Sequence, residues 1–564
     1  MPEKLSKVEE IKLKSQRLRG PVEQELGNGL DHFSEEGYQI LKFHGIYQQD
    51  DRDLRKARKA QGLGPAYSFM IRVAIPGGAL TPQQYLALDD LADRLGNATL
   101  RITTRQAIQY HGVHKGGLKP LIQTLHRHLL TTLSACGDVV RNVVACPAPF
   151  ADGVRAEVLA YAQALSQRLK PRTRAYYEIW LDGEKAVSAE ESEPLYGDTY
   201  LPRKFKIAFA APGDNCVDVY TQDIGIVPVV GQGLEGFTLL VGGGLGQSHG
   251  LKDTRPILAK PLTTIPKAQL FEVVEAIVRV QRDHGRRDER KYSRMKYLVE
   301  AWGLERFRGT VEAYLGASLP PAEPVDWLSA DDHLGWHEQG DGRLFLGLFV
   351  ENGRLRDELR HGIRTAVEQL GLEVRLTPQQ NLLFINVQPE QKGELEALLQ
   401  AHRIPIPFRG QIPLVVQQAM ACPALPTCGL AITEAERAMP AVIREIDSLL
   451  TQLGLQGGPV PHIRMTGCPN GCARPYSAEV GLVGRSLNSY TLYLGGSPLG
   501  TRLGEPFLDN LKREEIASVL GPLLAFYKEA RLEREAFGDF CQRVGLEALR
   551  ERLHATQTSG NPRS

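Results

Sequence analysis

The chain has 564 residues, 42% hydrophobic and 24% charged, a composition ordinary for a soluble globular protein of several domains. Lysine and arginine (67) balance aspartate and glutamate (66), and the net charge of +1 provides no global field for nucleic acid or an acidic membrane. The charged first twenty residues argue against a signal peptide, and no apolar run is long enough to span a bilayer. We therefore expect a cytoplasmic protein that binds neither nucleic acid nor membrane.

The N-terminal region is charged and irregular. Residues 1–30 begin with an amphipathic helical pattern, and the stretch KFHGIYQQDDRDLRKARKAQG follows. We expect residues 1–65 to form an arm on the protein surface.

A strand and a helix come next. SFMIRVAIPGG is rich in β-branched and apolar residues and ends at a Pro-Gly-Gly turn, which predicts a strand with Arg72 on the face of Ala74 and opposite Val73. TPQQYLALDDLADRLG predicts a helix, because Thr81 can cap it, Pro82 suits its first turn and leucines recur at helical spacing.

The following stretch, LRITTRQAIQYHGV, alternates well enough to predict a second strand. Arg101, Thr103 and Arg105 would then share one face, with His111 in phase if the strand continues. Arginine forks on one face suit carboxylates. For His111 the simpler alternative is a buried structural histidine.

The stretch YLPRKFKIAFA is also strand-like. Lys204 and Lys206 are two residues apart and share a face, whereas Phe205 and Ile207 point the other way. Two lysines held together repel, which lowers their pKa values and makes them candidate anion binders and proton donors. The alternative is a pair of exposed lysines at a sheet edge.

A basic helical stretch, HGRRDERKYSRMKYLVE, precedes a proline-rich joint. We interpret the basic stretch as a solvated helix face and leave it out of the candidate site. Pro320, Pro321 and Pro324 mark a linker, and the final ATQTSGNPRS predicts a disordered tail.

The chain also contains an internal repeat. The stretch LFLGLFVENGRLRDELRHGIRTAVEQLGLEVRLTPQQNLLFINV repeats the strand-helix-strand order about 275 residues later, with Arg375 and Gln380 at the positions of Arg101 and Gln106. Further on, ACPA occurs at 145–148 and again at 421–424, and DIGIV resembles EVGLV. The chain is predicted to be two copies of one module, with a ligand where copies meet.

Four of the eight cysteines form two close pairs. Cys422 and Cys428 have five residues between them, and Cys468 and Cys472 have three. Prolines and glycines around them let the backbone wrap a compact group, but five residues is a wide gap for one tetrahedral ion. An iron-sulfur cluster, a structural zinc ion and inert thiols all remain possible.

The other four cysteines are scattered. We expect each to be a small buried hydrophobic residue: Cys136, Cys146, Cys216 and Cys541.

The two cysteine motifs, ACPALPTCGLA and RMTGCPNGCARP, resemble the cluster motif of sirohaem-dependent sulfite and nitrite reductases. In that family the four cysteines hold a 4Fe-4S cluster and the last one also bridges to the sirohaem iron, so the resemblance implies that Cys472 is the shared ligand. The likeness spans nearly the whole chain. FHGIYQQDDRD resembles the N-terminal segment of bacterial sulfite reductase haemoproteins.

The resemblance assigns further site residues. In these reductases two arginines and two lysines form the substrate pocket, and the matching positions here are Arg72, Arg141, Lys204 and Lys206. The segment of LRITTRQAIQYHG contacts the haem in the family, which implies cofactor contacts for Arg101, Thr103, Arg105 and His111. Asn470 is a turn residue first and, by analogy, a donor to the cluster.

The implied reaction is the assimilatory six-electron reduction of sulfite to sulfide. Nitrite reductases share the scaffold, but the second lysine of LPRKFK marks sulfite enzymes in the family, so Lys206 favours sulfite. GGGLGQ lacks the third glycine of a dinucleotide-binding turn, so electrons must come from a partner. We favour a separate flavoprotein subunit that uses NADPH, with ferredoxin as the alternative.

The predicted fold is α+β and internally duplicated, with ferredoxin-like half-domains and two sirohaem- and cluster-binding α/β modules. A non-catalytic zinc scaffold is the rival from another class. The predicted domains are an N-terminal arm (1–65), a first ferredoxin-like half (66–135), a first sirohaem- and anion-binding module (136–324), a second ferredoxin-like half (325–405), a second module with the cluster (406–550) and a disordered tail (551–564).

Overall fold

The computed structural model describes residues 5–181, 183, 193–251, 253–406 and 411–559, with side chains described up to residue 555. The chain forms two compact units. The first unit comprises Met1–Gly244 and Ala259–Ile406, and the second comprises Leu245–Leu258 and Pro407–Ser564.

Thirteen α-helices are described in the first unit: α1 (Lys7–Lys14), α2 (Val22–Leu26), α3 (Glu35–Leu41), α4 (Arg55–Ala60), α5 (Pro82–Leu95), α6 (Leu118–Arg127), α7 (Arg155–Arg168), α8 (Ala175–Trp180), α9 (Leu270–His284), α10 (Met295–Trp302), α11 (Leu304–Leu315), α12 (Asp357–Leu370) and α13 (Lys392–Ala401). Its described strands are β1 (Ile46–Asp50), β2 (Tyr67–Val73), β3 (Ala79–Leu80), β4 (Leu100–Ile102), β5 (Ile108–Val113), β6 (Val144–Ala145), β7 (Ile207–Phe209), β8 (Ile224–Val230), β9 (Leu234–Val241), β10 (Lys260–Pro266), β11 (Gly335–Glu338), β12 (Leu344–Leu348), β13 (Arg354–Leu355), β14 (Glu373–Leu376) and β15 (Leu382–Val387).

The second unit contains the described helices α14 (Leu414–Gln417), α15 (Met439–Leu453), α16 (Ile516–Ala530), α17 (Phe537–Val544) and α18 (Leu546–Ser559). Its described strands are β16 (Met420–Ala421), β17 (Ile463–Thr466), β18 (Val480–Ser486), β19 (Ser489–Leu494) and β20 (Glu505–Lys512).

Two ferredoxin-like sheets in the first unit confirm the predicted repeat. Their strand orders are β1-β2-β5-β4-β13 and β11-β12-β15-β14-β3, and all their pairings are antiparallel. Each sheet takes its last strand from the other repeat, since β13 pairs with β4 and β3 pairs with β14. This exchange joins the two halves through backbone hydrogen bonds.

The exchange is reinforced by two glutamines at equivalent positions. Gln106 Nε2 donates to the carbonyl of Leu376 at 2.8 Å, and Gln380 Nε2 donates to that of Ile102 at 3.4 Å. Both glutamines have positive φ, 51° and 73°, and each lies in the turn of its own hairpin. The turns of the two halves are therefore tied to each other.

The stretch LRITTRQAIQYHGV is a hairpin, and the prediction of one continuous strand was wrong. β4 ends at Ile102 and β5 begins at Ile108. Thr103 Oγ1 accepts the backbone N–H groups of Arg105 and Ala107, both at 3.2 Å, which closes a turn in place of an extended strand. Arg101, Thr103 and Arg105 consequently do not share a strand face.

The other local predictions in this half are confirmed. β2 buries Ile71 and Val73 while Arg72, on the opposite face, is half-buried. α5 begins with a capping box in which Gln84 N donates to Thr81 Oγ1 at 3.2 Å and Thr81 N donates to Gln84 Oε1 at 3.1 Å.

The two remaining sheets have one topology, with strand orders β6-β7-β8-β9-β10 and β16-β17-β18-β19-β20. In each, the first three strands are parallel and the last two add antiparallel. The first of these modules belongs to the first unit and the second to the second unit. Duplication therefore extends to these α/β modules.

The described parts of the N-terminal arm and of the C-terminal tail pack against the rest of the chain more than predicted. The proposed surface arm contributes Leu18, Ile40 and Ile46, all fully buried, to the core of the first unit, and β1 is part of its first sheet. Helix α18 runs to Ser559, so the expected tail from 551 is helical over most of its length, and residues 560–564 lie outside the described part. In both cases apolar side chains find a tertiary partner that local charge patterns do not reveal.

Among the described helices, none combines the length and apolar character needed to cross a membrane.

A buried arginine joins the helices of the two ferredoxin-like halves. Arg360 on α12 donates to Asp89 Oδ1 on α5 at 2.6 Å and to both carboxylate oxygens of Asp93 at 2.6 and 2.8 Å. Arg360 and Asp89 are 2% and 1% exposed, and Arg364 also contacts Asp89 at 2.9 Å. Removal of the Arg360 guanidinium would take away one of the two cations that neutralise the buried Asp89 carboxylate.

We expect Arg360→Met to lower the free energy of unfolding of the first unit by about 3 kcal/mol, because breaking a buried ion pair leaves an uncompensated charge. Urea denaturation followed by tryptophan fluorescence measures this, since all four tryptophans (Trp180, Trp302, Trp327 and Trp336) belong to that unit. Arg94→Met, at an exposed position on α5, is the matched control. Equal urea midpoints for both variants would contradict the expectation.

Candidate active site

The four residues predicted for the anion pocket all belong to the first unit. Arg72 lies in β2, Arg141 lies in the segment before β6, and Lys204 and Lys206 lie in the segment before β7. Phe205 and Arg141 lie on paired backbones, since Arg141 N donates to the Phe205 carbonyl at 2.9 Å. Lys204 and Lys206 flank Phe205 and are half-buried, whereas Phe205 itself is buried. The predicted alternation is confirmed, although β7 begins only at Ile207 and the lysines lie in the extended segment before it.

The lysines repel as predicted. Burial and then the nearby cations Arg203, Lys206 and Arg141 hold the pKa of Lys204 well below its ordinary value. The pKa of Arg203 is likewise lowered to about 10 by burial. These segments therefore concentrate positive charge in a partly desolvated place.

Arg72 is linked to Arg141 through Tyr47. Arg72 Nη1 donates to Cys136 Sγ at 3.0 Å, and its guanidinium lies 6.0 Å from the centre of the Tyr47 ring. Burial raises the pKa of Tyr47, and both Arg141 and Arg72 oppose that rise, so both cations lie near the phenol. The structure thus brings Arg72, Arg141 and Lys204 into one cationic region.

The sequence interpretation missed two cations in the basic stretch. Arg294 is 6% exposed and forms a bidentate pair with the buried Asp223, with Nη2–Oδ2 at 2.9 Å. Lys296 is 1% exposed and donates to the Gly244 carbonyl at 3.0 Å. Burial, followed by Arg294, lowers the pKa of Lys296 to about 7. The interpretation of the basic stretch as a solvated helix face was therefore wrong for Arg294 and Lys296. The apolar residues of MKYL around Lys296 could have indicated that this part of the helix is buried.

The predicted haem-contacting residues separate into two kinds. Arg101 donates to the Asn352 carbonyl at 2.8 and 3.2 Å, and Thr103 shapes the hairpin turn. Arg105 donates to Gln222 Oε1 at 2.8 Å, but its buried Nε has no hydrogen-bond partner. His111 is 2% exposed, and neither ring nitrogen has a partner.

Buried polar atoms are normally hydrogen-bonded, so a bound group with donors and acceptors would satisfy Arg105 and His111 here. Burial holds the pKa of His111 well below its ordinary value, so the ring is neutral and offers one donor and one acceptor. Burial and then Arg141 lower the pKa of Arg105 to about 9, which an added carboxylate would reverse. The surroundings of Arg105 and His111 fit a carboxylate-rich macrocycle.

The four paired cysteines belong to two loops of the second unit. Cys422 and Cys428 follow β16, and Cys468 and Cys472 lie between β17 and β18. Cys422 and Cys468 are buried, Cys428 is half-buried and Cys472 is exposed. The Gly467 N–H donates to Cys422 Sγ and Asn470 Nδ2 donates to Cys468 Sγ, both at 3.4 Å. The predicted role of Asn470 as a donor beside the sulfur atoms thus has a geometric basis.

The four thiols are spread more widely than the donors of a single ion. A zinc ion with Zn–S bonds of about 2.3 Å holds its sulfur atoms roughly 3.8 Å apart. The four thiols do not form a group whose donor atoms all lie within 4.8 Å of one another. Four thiols in two loops, with N–H···S bonds to two of them, fit an iron-sulfur cluster.

Gly467 lets the two loops approach each other. A Cβ atom at this position would lie 2.4 Å from the Thr433 carbonyl oxygen and 2.6 Å from Ala424 Cβ. The cluster loop therefore has room only for glycine.

We expect Gly467→Ala to weaken cluster retention about 10- to 100-fold, as loss of an outer-shell support does. The measurement is iron release to a chelator per chain over time. Gly457→Ala, where no atom lies within 4 Å of the added Cβ, is the control. Identical release from both variants would show that the close approach is unimportant.

Comparison with known proteins agrees with these features. The model of the nitrite/sulfite reductase ferredoxin-like half domain matches residues 63–128 and 337–402, and the model of the nitrite and sulphite reductase 4Fe-4S domain matches residues 160–319. The latter match falls on the first copy of the duplicated module, whereas the four paired cysteines lie in the second.

Full-length relatives carry related names. Sulfite reductase [ferredoxin] of Synechococcus elongatus is 47% identical over 98% of this chain and 91% of its own length. Sulfite reductase [NADPH] hemoprotein beta-component of Staphylococcus saprophyticus is 45% identical over 96% of both chains, and that of Geobacillus kaustophilus is 45% identical over the same shares.

The fold is that of a solved protein. The NirA protein of Mycobacterium tuberculosis superposes with a TM-score of 0.81 over 97% of this chain and 98% of its own, at 24% identity. The full-length relatives and the family models show that the chain belongs to the nitrite and sulfite reductase family, whose members combine a 4Fe-4S cluster with sirohaem.

Proposed function

We propose that this chain catalyses the six-electron reduction of sulfite to sulfide. The observation that carries the proposal is the cationic region of the first unit, in which Lys204, Arg141 and Arg72 are held together although they repel. A bound oxyanion relieves that repulsion. The names of the full-length relatives support the same substrate.

The chemistry defines what the side chains must do. Sulfur passes from the +4 to the −2 state, so one sulfite ion takes up six electrons and eight protons to give hydrogen sulfide and three water molecules. Sirohaem supplies a site for the sulfur lone pair, and the cluster supplies single electrons. Arginine forks bind and orient the oxygen atoms, and the lysine ammonium groups neutralise charge and donate protons as each oxygen leaves.

We assign the anion-binding role to Arg72, Arg141, Lys204 and Lys206. Cys422, Cys428, Cys468 and Cys472 are the residues that would hold the cluster, and Cys472 is the exposed one of the four. Arg105 and His111 are the proposed contacts to the macrocycle. Arg101 and Thr103 are assigned a supporting role, because their described bonds hold the hairpin that carries Arg105.

Electrons are proposed to come from a separate protein. We favour an NADPH-using flavoprotein subunit because the FHGIYQQDDRD segment resembles the haemoproteins that use one, and relatives named for both NADPH and ferredoxin keep ferredoxin as the alternative. Reduction of the purified protein by each donor in turn would decide between them.

The test of the function bypasses the donor. Steady-state oxidation of a chemically reduced viologen dye gives kcat/KM for sulfite and for nitrite on iron-replete protein. A higher value for sulfite supports the proposal. A higher value for nitrite would identify nitrite as the preferred substrate. Absence of turnover with either anion would disprove the proposed activity.

The lowered pKa of Lys204 predicts a pH dependence. Only charged Lys204 binds the anion, so kcat/KM for sulfite should fall as pH rises through this lowered pKa, well before pH 10.5. Bound sulfite stabilises the ammonium form of Lys204. The decrease in kcat should therefore come at a higher pH than the decrease in kcat/KM. The arginine of Lys204→Arg keeps its charge to higher pH, so the decrease in kcat/KM should occur at a higher pH in this variant. The ionisation of sulfite itself affects both enzymes equally. Superimposable profiles would contradict the role of Lys204.

A further inference from the structure

A second set of metal-type donors lies in the first unit. The donor atoms of Cys146, Asp214, Cys216 and His333 all lie within 4.8 Å of one another, and in the described ranges no other group of three or more His, Cys, Asp or Glu donors does so. All four residues are buried. Cys146 follows β6, Asp214 and Cys216 lie in the loop after β7, and His333 precedes β11.

The donor atoms lie close to one another. His333 Nε2 lies 3.1 Å from Asp214 Oδ2 and 3.7 Å from Cys146 Sγ. Asp214 Oδ1 accepts two backbone N–H groups, from Cys216 and Asp331, both at 3.1 Å. Its Oδ2 is buried and makes no hydrogen bond of acceptable geometry, even with the nearby imidazole. The Asp214 carboxylate and the His333 imidazole are therefore close neighbours in one buried group of donors.

Surrounding groups hold these donors in place. Asp331 accepts the His333 backbone N–H at 3.0 Å, and its Oδ2 lies 3.7 Å from His333 Nδ1, on the side of the ring away from the thiol. A carboxylate behind the second ring nitrogen is the usual support of a metal-binding histidine. Arg375 donates to the Pro147 carbonyl at 3.0 Å, which places a cation beside Cys146.

The internal repeat gives an independent reason to expect a metal here. The two ACPA motifs place Cys146 at the position of Cys422. When DIGIV is aligned with EVGLV and the alignment is extended toward the N-terminus without a gap, Cys216 falls at the position of Cys472. The loops share a left-handed residue, Asp218 with φ 52° and Arg474 with φ 56°. The first copy thus keeps two of the four cysteine positions of the second copy. The donor atoms of Cys146, Cys216 and their two neighbours are close enough to bind a single ion.

We propose that Cys146, Asp214, Cys216 and His333 bind one zinc ion. Two sulfur, one nitrogen and one oxygen donor give the closed four-coordinate set of a structural zinc site, with donors about 3.3 to 3.8 Å apart. Binding releases the thiol protons, and the resulting net charge of −1 is offset by Arg375. The ion ties His333, which follows the proline-rich joint, to the first α/β module.

The test is metal analysis of the full-length holoprotein expressed with zinc supplied. We expect about one zinc per chain in the wild type and less than about a tenth in Cys146→Ser/Cys216→Ser, with iron unchanged. Cys541→Ser, another buried thiol, is the control and should keep its zinc. Iron-replete wild type without zinc, undiminished zinc in the double variant, or a Cys146–Cys216 disulfide found by mass spectrometry would each overturn the proposal.

A second measurement covers a double variant that fails to fold. X-ray absorption at the zinc edge of the wild type should show two sulfur neighbours at about 2.3 Å and two nitrogen or oxygen neighbours at about 2.0 to 2.2 Å. Four sulfur neighbours would place zinc on the paired cysteines of the second unit and overturn the assignment. Both readouts are independent of sulfite turnover, so they do not depend on the proposed function.

Discussion

Replacement of Cys472 with serine is expected to abolish sulfite reduction and remove the cluster. A hydroxyl is a poor substitute for a thiolate ligand, so serine at this position would leave the cluster with three of its four proposed ligands. Because loss of an outer-shell partner alone costs roughly 10- to 100-fold, the loss of kcat should exceed 100-fold. Viologen-linked turnover and iron per chain measure the two effects.

Cys541→Ser is the matched control for this variant, since Cys541 belongs to the same unit, is 1% exposed and is not one of the proposed ligands. It should keep both iron content and turnover. A Cys472→Ser protein with a full complement of iron and normal turnover would disprove the proposed ligand set. Equal losses in both variants would instead show that any buried or loop thiol is needed for folding.

Lys206→Met is expected to lower kcat/KM for sulfite by about 10²- to 10³-fold, the effect of removing one preorganised donor from developing negative charge. Lys206 lies two residues from Lys204 on the same side of an extended segment, and methionine keeps much of the side-chain volume while removing the charge. Iron content should be unchanged, because the proposed cluster ligands belong to the second unit. A loss of turnover without a loss of iron separates an anion-binding role from a structural one.

The control is Lys260→Met, which removes an exposed lysine at the start of β10 in the same unit. It should have unchanged kinetics with both sulfite and nitrite. If Lys206 selects sulfite, its variant should lose more kcat/KM for sulfite than for nitrite. Unchanged sulfite kinetics in Lys206→Met would remove the main support for the anion pocket.

Local sequence patterns were sufficient for several elements of this fold. The helix cap at Thr81, the buried face of β2 and the alternation around Phe205 all depend on neighbours a few residues away, and each was predicted. The repeat was also visible, because equivalent turns need the same residues, as Gln106 and Gln380 show. Spacing alone pointed to a metal group at the paired cysteines.

Other features depend on contacts between distant segments and were missed. The exchange of β3 and β13 between sheets involves only two residues in each strand, too few for a periodic signal. Arg294 and Lys296 appeared to belong to a solvated helix because their partners, Asp223 and the Gly244 carbonyl, are more than fifty residues away. A charge pattern identifies the cations but not the surface that buries them.

The sequence by itself determined the duplication, several of the helices and strands and the pairing of the cysteines, since these follow from local periodicity and spacing. The anion-pocket residues were assigned by the family resemblance, and that assignment stays a prediction. Only the tertiary structure decided that LRITTRQ turns back on itself, that His111 and Arg105 keep unsatisfied buried atoms, and that Cys146, Cys216 and His333 come together. The physical reason is that burial and convergence of side chains are set by the packing of segments far apart in the chain, whose partners no local pattern names.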